Sequence, residues 1–158
     1  MTGQAEPVRI ALNKPRIGTG LSVEKALAKR RSSRTFSERT VQLDEVGQLL
    51  LAAQGIAGHF DIRTAPSAGA LHQMMLTVVA AGVDGLPAGL YRYHAESHDL
   101  ALLSDSDHRE QLRSAANQQE AIGLSTTSMA AFDDEQMAAA AHLDAGHHAL
   151  YVMPVGCA

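Results

Sequence analysis

Two short stretches carry residue types whose spacing suits chemistry. Arg30-Arg31-Ser32-Ser33-Arg34 puts three guanidinium groups and two hydroxyls where a helical pattern gives way to an extended one. Arginine offers a rigid fork matched to phosphate oxygens, and serine adds short hydrogen bonds that orient the anion. The same five residues also suit a solvated basic helix end. The second stretch, Ala65-Pro66-Ser67-Ala68-Gly69-Ala70, has side chains small enough for a flat ligand to approach the backbone. A tight turn before a strand has a similar composition, so both readings stand for it as well.

Other candidates point to packing or surface. His142, His147 and His148 lack an Asp, Glu or Cys at metal-motif spacing, so no metal site is expected. Tyr91 and Tyr93 flank Arg92 and should share one face of a strand, which favours packing. Cys157 is the sole cysteine, which excludes a disulfide within one chain and fits a reducing compartment. Met74 and Met75 suit a core. No catalytic residue can be assigned from the sequence.

These residues need elements to hold them. Residues 1–21, broken by Pro7, Pro15, Gly18 and Gly20, predict an extended arm lying on the surface. Ser22 can cap a helix running to the Arg30-Arg31 pair, with Val23, Ala26 and Leu27 on one face. A second helix is expected over Asp44–Gln54, with Val46, Leu49, Leu50 and Ala53 in phase and Gly55 as its stop. An irregular loop spans Arg63–Gln73. Strands are expected at Leu76–Ala81, Gly89–Tyr93, Asp99–Leu103 and Ala149–Val155, and helices at Asp107–Asn117 and Asp133–His142. The pattern is that of an α+β domain with one shared core.

The chain has 158 residues, 46% of them hydrophobic, enough for one domain. A net charge of -4 argues against a nucleic-acid partner. No apolar run reaches the length of a membrane span or resembles a signal peptide, so a cytoplasmic protein without a membrane partner is expected.

Taken in order, six segments resemble the flavin-dependent nitroreductase family, and specifically its SagB-type azoline dehydrogenase branch. They are E-K-A-L-A-K-R-R-S-S-R-T-F, L-D-E-V-G-Q-L-L-L-A-A-Q-G-I, R-T-A-P-S-A-G-A-L-H, G-L-Y-R-Y-H-A-E-S-H-D-L, A-F-D-D-E-Q-M and L-Y-V-M-P-V-G. The resemblance implies a nitroreductase-like α+β fold, with a central, mostly antiparallel sheet flanked by helices. It implies that Arg30, Ser32 and Arg34 hold the phosphate and ribityl chain of FMN, with Arg31 assisting. Pro66, Ser67 and Ala68 would line the flavin ring, together with Gly69. It further implies a homodimer, in which the Pro66 loop of one subunit reaches the flavin of the other. The implied activity is ping-pong electron transfer through flavin N5, either from NAD(P)H to a small-molecule second substrate or, as in the azoline dehydrogenase branch, from a thiazoline or oxazoline ring of a modified peptide into the flavin, which oxygen reoxidises.

The chain departs from the family between Ile122 and Phe132, where relatives carry about fifty further residues and this sequence has only G-L-S-T-T-S-M-A-A. Residues 22–158 are thus expected to form an FMN-binding domain lacking a middle segment near 122–132. Ala130-Ala131 stands where relatives commonly place a flavin-contacting glycine, and relatives also carry a basic residue after the last strand. The alternative reading is a shortened, catalytically inactive relative that serves as a dimeric interaction or scaffold protein.

Overall fold

The computed structural model describes residues 7–18, 20–31, 37–56, 62–116, 133–150, 152, 153 and 155. The chain forms two compact units, one of residues 1–15 and 42–107, the other of residues 16–41 and 108–158. The elements in order are β1 (Arg9–Ala11), α1 (Val23–Lys29), β2 (Val41–Gln42), α2 (Leu43–Gln54), β3 (Thr77–Ala80), β4 (Val83–Asp84), β5 (Gly89–His94), β6 (Asp99–Ser104), α3 (Arg109–Ala115) and α4 (Asp134–Ala140). Helices and an antiparallel sheet make this the expected α+β class.

The first unit is organised by a four-stranded sheet of order β1-β6-β5-β3. All three pairings are antiparallel. Its centre is the β5–β6 hairpin, in which Tyr91 faces Leu102, Arg92 faces Ala101, Tyr93 faces Leu100 and His94 faces Asp99. Side chains alternate across a strand, so the pleat sorts these rows onto two faces. Tyr91, Tyr93, Leu100, Leu102, Ile10 and Val78 share the apolar face. Arg9, His94, Asp99, Arg92 and Thr77 share the other. Tyr91, Leu90 and Leu100 are fully buried.

Within the expected N-terminal arm, Arg9–Ala11 form an edge strand of the sheet. β1 pairs with β6 through Arg9–Ala101, Ile10–Leu100 and Ala11–Asp99. Leu12 then packs beside α2, where a side chain on Gly47 would meet the Leu12 Cβ at 3.5 Å. α2 starts where the Glu45 carboxylate accepts the Gln42 N–H at 3.0 Å. It buries Val46 and Leu50 and leaves Leu49 exposed.

Gly55 ends α2 for a reason other than the one the sequence suggests. Its φ is -69°, open to any residue, but an added Cβ would sit 2.6 Å from the Leu51 Cα. Close approach of the chain to the helix requires glycine here, and left-handed backbone does not.

In the second unit, Ser22 caps α1 by accepting the Lys25 N–H. The expected inward face of α1 is exposed, with Val23 at 71% and Leu27 at 68%. α3 and α4 form a hairpin whose core is Leu112, Ala115, Ala116, Met137, Ala140 and Ala141. Asp133 joins them, giving its N–H to the Ala115 carbonyl at 2.9 Å and accepting the Gln136 N–H on its side chain at 2.8 Å. His108 and His142 meet edge to face across this hairpin at 4.8 Å.

The strand expected at Ala149–Val155 does not form among the described residues. Val152 makes only an isolated bridge, and Leu150, Met153 and Val155 are exposed. Apolar, β-prone residues become a strand only where a sheet edge accepts their backbone, and Pro154 has no N–H to offer. The expected shortened segment near 122–132 lies outside the described residues.

Candidate functional site

The small-residue loop is fastened at its start to the end of α2. The Thr64 N–H donates to the Gly55 carbonyl at 2.9 Å, and its hydroxyl donates to the Leu51 carbonyl at 2.8 Å. Arg63 bridges to Ile56 along the backbone, while its guanidinium pairs with Glu96. The chain therefore enters Ala65-Pro66 from a fixed point.

Ser67 organises the turn that follows. Its carbonyl accepts the Ala70 N–H at 3.1 Å, and its hydroxyl accepts the His72 N–H at 2.9 Å. Ala68–Ala70 makes a single 3-10 turn. Three residues there are left-handed: Gly69 at φ 62°, Ala70 at 54° and His72 at 45°. For the two non-glycine residues this costs roughly 1–2 kcal/mol each, strain of the kind that gathers at ligand-holding loops.

The turn is open. Pro66, Ala68 and Gly69 are exposed, and a Cβ on Gly69 would meet nothing closer than the Leu71 Cγ at 3.8 Å. Leu71, Met74 and Met75 nearby in the chain are also exposed, at 68%, 49% and 42%. The two methionines are therefore not the core filler their apolar character suggests. Small, backbone-rich surface next to exposed apolar side chains fits a flat aromatic ring better than it fits water.

Two further groups, one beside Met75 and one at the end of the loop itself, were not singled out in the sequence. Arg92 of β5 is 9% exposed and its Nη1 lies 3.2 Å from the Met75 sulfur. The His72 Nδ1 is buried and has no hydrogen-bond partner among the described residues. A charged residue in the middle of a strand, between two tyrosines, was the available sign for Arg92.

The basic cluster sits at the end of α1 in the other unit. Arg30 is the C-cap and is exposed, its N–H donating to the Ala26 carbonyl at 2.9 Å. Arg31 turns back on the helix, its Nη1 donating to the carbonyls of Ala28 at 3.0 Å and Arg30 at 2.8 Å. A cation there also complements the helix dipole. Ser32, Ser33 and Arg34 lie outside the described residues, as do Ala130, Ala131 and Cys157. The structure thus gathers Pro66, Ser67, Ala68 and Gly69 in one turn, and places Arg30 and Arg31 together at a helix end.

Tyr91 and Tyr93 are packing residues. The Tyr91 hydroxyl donates to the Pro87 carbonyl at 2.9 Å, and the Tyr93 hydroxyl lies 2.9 Å from the His98 Nδ1. Burial pushes both phenols above their ordinary range. Among the described residues no three His, Cys, Asp or Glu side chains converge as a metal site, and no helix is long and apolar enough to cross a membrane.

Known proteins resemble this chain in both sequence and shape. The profile of the Nitroreductase family matches residues 27–122. A Methanocaldococcus jannaschii protein named "Putative nitroreductase MJ1384" is 32% identical over 104 residues, which are 66% of this chain and 52% of that protein. The chain therefore spans about half the length of the curated relative it matches. The crystal structure of a "putative nitroreductase" from Anabaena variabilis superposes with a TM-score of 0.79 at 18% identity, covering 96% of this chain and 42% of that one. Another, from Ralstonia eutropha, superposes at 0.72 with 21% identity, covering 99% and 96%. At those identities the two structures establish the fold, which is nitroreductase-like.

Proposed function

The chain belongs to the nitroreductase family, and from that premise we propose that it binds FMN and serves as an oxidoreductase. The observation that carries this reading is the Ser67-centred turn, which is strained, exposed and open at Gly69. Bound FMN would supply electron transfer at its ring N5, a chemistry that no side chain provides.

The chain's own residues then divide the binding task. Pro66, Ser67, Ala68 and Gly69 offer a small-side-chain surface for the ring. Arg30 and Arg34, with Ser32, supply charge and hydrogen bonds for the phosphate, and Arg31 adds positive charge beside them. Leu71 and Met74 exclude water beside the ring. Electron donor and acceptor use one pocket in turn, a ping-pong order. In the nitroreductase direction NAD(P)H would be the donor and a second substrate would take the electrons; in the direction that the azoline dehydrogenase likeness suggests, a thiazoline or oxazoline ring in a modified peptide would be the donor, oxidised to the azole, and oxygen would take the electrons from the flavin. The site is completed by a second copy of the chain, so that binding and assembly rise together with protein concentration.

A flavin titration tests this. Added FMN should show perturbed visible bands and raise the melting temperature of a dimer seen by light scattering. A folded dimer that leaves the FMN spectrum unchanged at high micromolar cofactor would refute the enzyme reading in favour of a scaffold role.

A further inference from the structure

Met75 lies in the segment that joins the Ser67 turn to β3, and the sheet fixes its place. The next residue, Leu76, accepts the Tyr93 N–H on its carbonyl at 3.0 Å, and Thr77 pairs with Arg92 across the β3–β5 ladder. Anchored in this way, the Met75 sulfur accepts a hydrogen bond from the Arg92 Nη1 at 3.2 Å. A thioether is a weak acceptor, whereas a guanidinium carries five donors in a fixed fork. Arg92 is 9% exposed and Met75 42%, so a buried cation donates to a side chain that solvent reaches.

Oxidation turns that weak contact into a strong one. In the reaction of a thioether with hydrogen peroxide, a sulfur lone pair attacks one oxygen and the O–O bond breaks. The sulfur gives up two electrons and becomes a sulfoxide, and the second oxygen leaves as water with both hydrogens. The Arg92 Nη1 is within reach of the departing oxygen, which gains negative charge, and afterwards of the sulfoxide oxygen, a far better acceptor than sulfur. Sulfur has two lone pairs, so a donor on one leaves the other for the attack.

We infer that Met75 is a modification site for hydrogen peroxide, at which Arg92 promotes oxygen transfer and holds the resulting sulfoxide. The product places a polar, chiral group in a stretch of chain where Leu71 and Met74 are exposed apolar residues. An oxygen molecule that takes two electrons from a reduced flavin leaves as hydrogen peroxide, so the site would meet its oxidant at its own loop. That source rests on the FMN reading, and the oxidation itself does not.

Brief treatment of the full chain with dilute hydrogen peroxide, without added flavin, tests this by peptide mass spectrometry. Exposure alone would favour Met74, at 49% against 42%, or leave the two alike. Met75 should instead be oxidised severalfold faster than Met74, and in urea, where the Arg92 contact is lost, the two rates should become equal. Epimer-specific sulfoxide reductases should find one epimer dominant at Met75 in the folded chain and an even mixture in urea. Arg92→Leu should remove both the preference and the epimer excess. Met75 oxidised no faster than Met74 in the folded parent would overturn the proposal, as would a preference that survives in urea or in a folded Arg92→Leu chain. If that variant does not fold, the parent compared with and without urea decides the matter. Flavin binding does not enter the measurement, so failure here and failure of the FMN reading are seen separately.

Discussion

Arg9 grips Asp99 with two parallel bonds, Nε to Oδ2 at 2.9 Å and Nη2 to Oδ1 at 2.8 Å, across 90 residues of sequence. A three-residue edge strand has little backbone pairing of its own, so this fork fixes its position on β6. Arg9→Ala should lower stability by about 1–2 kcal/mol, the middle of the range for charged hydrogen bonds reduced for the half-exposed arginine. Urea denaturation checks this, and a loss below a few tenths would show that the backbone pairing suffices.

The same pair sets an acid limit. Burial alone would raise the Asp99 carboxyl, but the Arg9 and Ser97 hydrogen bonds, the Arg9 charge and His94 outweigh it and hold the group low. A folded-state value below the unfolded one means that the stabilisation is present above about pH 4 and fades as pH falls through the lower, folded value. The gap in melting temperature between the parent and Asp99→Asn should close on acidification below about pH 4. A gap that stays constant would assign the stabilisation to packing.

Gly55→Ala should destabilise by roughly 2 kcal/mol or more, because the new Cβ would overlap the Leu51 backbone and backbone cannot rotate away. Thr64 hangs from the Gly55 carbonyl, so the start of the Pro66 loop should loosen as well. Thermal unfolding together with proteolysis at Arg63 reads both effects. A variant as stable as the parent would show that the loop relaxes freely.

Gly69→Val should cost roughly 1–2 kcal/mol through its left-handed backbone and should abolish FMN binding by filling the open face. Arg30→Ala should weaken FMN by about 1.5–3 kcal/mol while leaving melting temperature unchanged without cofactor. Unaltered affinity in both variants would move the cofactor site elsewhere.

The sequence determined the elements whose cause is local. Helical spacing from Val46 to Ala53, the Ser22 cap and the Gly89–Tyr93 strand are each decided within a few residues, and all appear in the structure. The small residues of Pro66–Gly69 likewise announced an irregular turn, and the ordered motifs carried the family. Tertiary structure decided what depends on partners distant in the chain. It drew Arg9–Ala11 into the sheet beside Asp99, exposed Val23, Leu27 and Met74, and left the described residues 150, 152, 153 and 155 without a ladder. It turned Arg31 onto its own helix, and it brought Arg9, His94 and Asp99 together although 85 and 90 positions separate the arginine from its partners. Apolarity and β-propensity state only that a residue gains by burial or pairing. Whether a surface or a strand edge is there to meet it is a property of the folded chain.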